Sequence, residues 1–189
     1  MIFNLKYNVM KKFNFISGLI FIAVAIVISG CDSEDDSATS KNYFSYDGKE
    51  YAINNGYFSC WGEYNNGGPY VWGFFLTSDG LYFDSEAGDL KGKGDAFMVN
   101  LVSSSETEIV EGTYSFDETD DYLIDGAVVV IGYDIETEEG IEVDFSEGAG
   151  TIDVKKTGEE YEVIINCKTK EGKEINGYFK GSIPIVEFD

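Results

Sequence analysis

Histidine and arginine are both missing from this chain, and proline occurs only twice in 189 residues. Without histidine there is no Ser-His-Asp or Cys-His nucleophile and no imidazole metal site. Without arginine there is no bidentate clamp for phosphate or carboxylate. Three cysteines are present, none in a C-x-x-C pair, which argues against a dithiol redox motif. Carboxylate chemistry, oxygen-ligand cation binding and binding without chemistry are what remain.

The charge is as lopsided as the residue usage. All 13 basic residues are lysines, against 35 acids, for a formal charge of −22. Three of those lysines (Lys6, Lys11, Lys12) lie in the first 30 residues, which hold no acid, so the remaining 159 carry 10 lysines against 35 acids, or −25. Such a body repels nucleic-acid phosphates and anionic membrane surfaces, and nucleic acid is excluded as a partner. Solubility and mutual repulsion explain the acidity more simply than a dedicated cationic partner does. About 160 residues suffice for one core, burying roughly 70% of the unfolded surface. With 15% aromatic residues, rings can supply much of it.

The front end is the most specific signal. Lys11 and Lys12 precede Phe13–Gly30, which carries no charge and ends in small residues, the pattern of a secretory signal. At 18 residues the run is near the lower limit for a membrane span, so a permanent transmembrane anchor is the alternative. Small Ser29 and Gly30, the absence of a basic cluster after the run, and the acids that follow weigh against a span. Ile28-Ser29-Gly30-Cys31 resembles the lipobox of bacterial lipoproteins, with Ile28 in place of the usual leucine. That resemblance implies cleavage before Cys31 after its thiol is acylated, with Met10 as the effective start. The acyl chains would anchor the protein durably, at about 0.8 kcal/mol per buried methylene. Asp32-Ser33-Glu34-Asp35-Asp36 looks like the acidic export signal of lipoproteins of the Bacteroidota, which implies the outer face of the outer membrane, with the periplasmic face as the alternative. The expected organisation is a signal peptide over 1–30, an acidic flexible tether over 31–42 and one domain over 43–189.

That domain reads as all-β. Segments rich in aromatic and β-branched residues recur at short intervals, separated by Gly, Asn and Asp turns. Asp47-Gly48 between NYFSY and KEYAI predicts a two-residue hairpin. GYFSCWGEY, YVWGFFLT, LYFD, AFMVNLVS and EGTYSF follow, with Ser85–Asp95 expected as a Gly-rich loop. AVVVIGYD is apolar enough for a central strand buried on both sides. Further on, Ile152 and Val154 share a face; so do Tyr161, Val163, Ile165 and Cys167; so do Ile175, Phe179 and Ile183. Period two with hairpin-length gaps predicts antiparallel neighbours. About ten strands predict a single-domain antiparallel sandwich or a partly closed, lipocalin-like barrel. The ending KEINGYFKGSI, with the lipobox, is similar to small β-rich surface lipoproteins of the Bacteroidota.

Four sets of residues are candidates for function. Cys60 and Cys167 could pair in an oxidising envelope, adding roughly 4–5 kcal/mol, or pack as separate thiols. Glu142–Glu147 (EVDFSE) resembles the E-x-D-x-x-E strand of jelly-roll β-glucanases, which implies Glu142 and Glu147 as nucleophile and acid/base. Ser146 departs from that family's apolar residue, and an exposed acidic strand end is the simpler reading. Asp117, Asp120 and Asp121, and Asp134, Glu136, Glu138 and Glu139, form acidic clusters without EF-hand spacing; solvated loops are preferred to Ca²⁺, and no metal or cofactor is assigned. Finally, Trp61, Tyr64, Tyr70 and Trp72 in CWGEYNNGGPYVW could form a stacking platform for sugars or could fill the core. Which side of the hairpin each ring faces decides between them. The expected role is a non-catalytic, lipid-anchored module binding an extracellular glycan or protein. A lipocalin-like carrier of an apolar ligand and a small glycoside hydrolase are the alternatives.

Overall fold

The computed structural model describes residues 41–117 and 122–188. The expectations for the signal peptide, Cys31 and nearly all of the tether, and for Asp120 and Asp121, lie outside the described residues. What is described is all-β, with twelve strands. They are β1 (Tyr43–Tyr46), β2 (Lys49–Ala52), β3 (Asn55–Glu63), β4 (Tyr70–Thr77), β5 (Leu81–Asp84), β6 (Asp89–Ser103), β7 (Gly112–Ser115), β8 (Leu123–Asp134), β9 (Glu139–Asp144), β10 (Ala149–Thr157), β11 (Glu160–Lys168) and β12 (Glu174–Ser182). Ten run in the order β2-β1-β12-β11-β10-β7-β8-β6-β4-β3, while β5 pairs with β6 and β9 with β8.

Local chemistry sets most of the turns. Between β1 and β2, Asp47 and Gly48 both take positive φ (51° and 79°), as a type I′ hairpin requires. The Gly-rich stretch expected as a loop is shorter than predicted, because β6 begins at Asp89 and runs for 15 residues. Its glycines allow close packing with the chain that crosses it: a Cβ on Gly92 would sit 2.3 Å from the Gly80 carbonyl oxygen. The domain also begins earlier than its first strand. Asn42, assigned by sequence to the tether, donates its side-chain amide to Lys180 O (3.1 Å) and accepts from Lys180 N–H (2.8 Å).

The sheet curls into a partly closed barrel. Every pairing between the twelve strands is antiparallel except β7 with β8, which meet in parallel at one residue pair, Ser115 and Leu123. A second narrow join lies at the other end of the order. The segment after β12 runs beside β3, where Phe58 N–H donates to Pro184 O (2.9 Å) and Val186 N–H donates to Phe58 O (2.7 Å). Two broad panels, β2-β1-β12-β11-β10-β7 and β8-β6-β4-β3, thus meet at two seams one residue pair wide.

Rings fill the space between the panels. Phe44, Phe58, Trp72, Phe74, Phe97, Tyr114, Phe145 and Phe179 are all essentially inaccessible. Phe58 reaches across, meeting Tyr161 of the opposite panel edge to face at 5.2 Å while lying 4.9 Å from Phe74. The polar tips of the buried rings are satisfied, as burial demands. Trp72 Nε1 donates to Ser105 O at 2.9 Å, and Tyr114 Oη donates to Val110 O at 2.6 Å. The expected inward faces of β10, β11 and β12 are buried as read, through Ile152, Val154, Tyr161, Val163, Ile165, Cys167, Ile175, Phe179 and Ile183. Among the described residues, one buried side-chain oxygen has no hydrogen-bond partner, the Thr77 hydroxyl.

A smaller apolar cluster forms outside the barrel. Leu81, Leu90, Ala96 and Val130 are buried there, packed by Phe75, Phe83, Met98, Val128, Tyr133, Ile135 and Phe188. β8 is therefore covered on both faces, with Val129 in the inner core and Val130 in the outer cluster.

Candidate ligand face

The β3–β4 hairpin separates the four rings that the sequence groups together. Trp72 lies opposite Cys60 in the register, points inward and is 1% exposed, so it is corrected from candidate ligand residue to core. Tyr70, two residues earlier on the same face, packs at the rim of that core. The charge of Glu106 beside it is the main cause that holds its phenol above the ordinary value. Tyr64 sits at the hairpin tip, 36% exposed, where its N–H donates to Pro69 O at 2.7 Å.

Trp61 goes the other way. The register shifts between Cys60 and Gly62, so Trp61 is the extra residue of a β-bulge. Gly62 takes φ 100°, which releases the strand to bend there. The indole lies across the backbone of β4 at Gly73, where an added Cβ would be 2.5 Å from Nε1 and 2.7 Å from Cε2. The absence of a side chain at residue 73 is what lets the ring settle on the sheet. Around it stand further half-buried rings of the outer face. Phe75 meets it edge to face at 6.2 Å and Phe188 lies 5.4 Å away. Phe188 also contacts Phe75 (5.0 Å) and Phe83 (5.1 Å), and Phe83 contacts Tyr57 (5.9 Å).

Of these neighbours the sequence pointed to none as a ligand residue. The signal for Phe75 was there in the alternation of YVWGFFLT, since Phe74 facing inward obliges Phe75 to face outward. Phe188 carried no such signal, because only the return of the chain alongside β3 brings it over the face.

The two carboxylate candidates have different settings. Glu142 lies on β9 opposite Val130, on the outer side of the sheet. Although the residue as a whole is exposed, partial burial of its carboxyl, and then the charge of Asp144, raise its pKa above the usual range. Glu147 is past the end of the strand and forms an ion pair with Lys170. Ser146 explains the departure from the glucanase pattern. Its N–H donates to Asp144 Oδ1 (2.8 Å), and its Oγ accepts from Ala127 N–H (2.9 Å), turning the chain out of the strand before Glu147. Glu142 thus lies within β9, whereas Glu147 follows its end and is paired with Lys170.

The remaining candidates have local roles. Asp134 Oδ1 accepts from the N–H groups of Glu136 (3.1 Å) and Thr137 (3.4 Å), closing the β8–β9 turn. Among the described residues, no three Cys, Asp or Glu side chains are grouped to hold a metal ion. Of the two alternatives for Cys60 and Cys167, the structure has the separate free thiols. Cys167 Sγ donates to Thr151 O at 3.5 Å, and burial pushes its pKa up to about 12. No family model, curated protein or solved structure matches the chain.

Proposed function

We propose that this chain is a lipid-anchored lipoprotein of the bacterial cell envelope, and that its β domain binds extracellular glycan without catalysis. The lipobox at Cys31 and the acids after it support the anchor and the outer-membrane address. The observation that carries the binding role is Trp61, an indole laid against the sheet on the solvent side and ringed by half-buried aromatics. An aromatic face of this kind stacks against the C–H face of a pyranose, and the amide-rich turn Asn65–Gly68 at the tip of the same hairpin offers hydrogen bonds. An interior crowded with rings offers little room for the cargo of a lipocalin-like carrier. With Glu147 beyond the end of β9 and paired with Lys170, the hydrolase reading gains no support.

The test uses the full chain. Metabolic labelling with a radioactive fatty acid should mark the wild type and not Cys31→Ala, and label-free wild type would end the anchor. On a glycan array the wild type should be retained by at least one oligosaccharide, with retention lost in Trp61→Ala and kept in Tyr64→Ala. Retention unchanged in Trp61→Ala would end the binding face.

A further inference from the structure

A second surface site is lined by none of the rings around the Trp61 indole. Three distant pieces of chain line a shallow, open cleft of about 370 Å³: Thr107 and Glu108, the β10–β11 turn from Lys156 to Tyr161, and Ile183 with Ile185. The first piece is fixed to the second. Lys156 Nζ pairs with Glu108 Oε2 at 2.7 Å, and Lys156 N–H donates to Glu111 Oε1 at 2.6 Å. The third piece is held where Pro184 and Val186 bond to Phe58. The cleft is therefore tied on each side to the sheet.

Its two walls differ in chemistry. One is apolar, with Ile183 and the edge of Tyr161 nearly buried at its base and Ile185 at its rim, 52% exposed. Few large apolar side chains are as open to water as Ile185 among the described residues, and packing within the domain does not account for it. The other wall is charged. Lys156 is already engaged by Glu108 and lies over the Tyr161 ring at 5.4 Å, so neither the ammonium nor that ring face is on offer. Glu159, at the tip of the turn beside Gly158, lines the cleft with no ion-pair partner among the described residues.

We infer that this cleft binds a basic segment of a protein partner, seating the aliphatic stem of a lysine or arginine on Ile183 and Ile185 and its cationic head at Glu159. The long stem matches the apolar wall and the head matches the unpaired carboxylate. The −22 charge of the chain draws cations toward it and opposes anions. A neutral sugar fits less well, because Lys156 covers the one aromatic face.

The probe is a blocked peptide of alternating leucine and lysine, titrated into ¹⁵N-labelled full chain in detergent. Saturable shifts are expected at the amides of Thr107, Lys156–Tyr161 and Ile185. A leucine–glutamate counterpart should leave them in place. Glu159→Gln, a surface change that leaves the fold intact, should weaken the lysine peptide at least fivefold. Raising the salt should weaken it too. Trp61→Ala should leave it unchanged, which separates this site from the glycan face. Any of three results overturns the inference: no saturable shifts at those amides, equal binding of the glutamate peptide, or binding indifferent to Glu159→Gln. Shifts there from cellohexaose but not from the lysine peptide would overturn it as well.

Discussion

Trp61 and Trp72 are eleven residues apart, sit on neighbouring strands and meet opposite fates. Inside the barrel, Trp72 is packed edge to face on Phe58, and its one polar atom is satisfied by Ser105. Outside, Trp61 lies over a glycine and is only partly covered by Phe75 and Phe188. Composition is alike on the two faces; coverage is not. A ring sealed between two panels contributes to stability, whereas a ring left half open on the outside retains surface with which to meet a ligand.

Mutation should pull the two faces apart. Truncating the inner one, as Trp72→Ala or Phe58→Ala, should cost about 3–5 kcal/mol in chemical denaturation, and a loss below ~1 kcal/mol would erase the contrast. Trp61→Ala should cost roughly 1 kcal/mol while abolishing glycan retention. Gly73→Ala sharpens the comparison without replacing a ring: its new Cβ should lift the Trp61 indole from the sheet and reduce retention several-fold. Fluorescence quenching by iodide would show the greater exposure of one of the two tryptophans.

Proton binding offers a third contrast. The inner face holds Cys167 and Tyr114, and burial raises both pKa values to about 12, from the ordinary 9.0 and 10.0. Their neutral forms are favoured by folding, so the stability they contribute is present below pH 9 and lost as pH rises toward 12. Denaturation midpoints should therefore fall across that window, with a shallower fall in Cys167→Ala. A flat profile in the wild type would contradict the burial of both groups. The smallest change should run the other way. Thr77→Val removes a buried hydroxyl that has no partner and should raise stability by about 1 kcal/mol in thermal or chemical melts.

Much of the fold could be read from alternation alone. In β11, Tyr161, Val163, Ile165 and Cys167 mark the buried face, because Glu162 and Asn166 set the opposite parity even though Ile164 interrupts it. Asp47-Gly48 announced its hairpin for an equally local reason. Sequence could not choose between sandwich and barrel, because the answer rests on two single-residue joins, at Ser115–Leu123 and Phe58–Ile185, which leave no periodic trace. The candidate face was half legible. Its tryptophan was named, and alternation from Phe58 sets Trp61 outward, but the β-bulge at Trp61 depends on a register shift visible only in the pairing. The arrival of Phe188 and the meeting of Glu108, Lys156 and Ile185 follow from long-range topology, which no short window of sequence encodes.

Those two joins govern how the molecule breathes. Backbone bonding runs unbroken across each panel but is thin where the panels meet, so cohesion there falls to interlocked side chains such as Phe58 against Tyr161. A small slippage of the rings would let the panels gape without disturbing any ladder within them. The same trait makes the Phe58 side a natural place for outside events to register, since the strip that pins it also walls one cleft and carries Phe188 to the Trp61 ring.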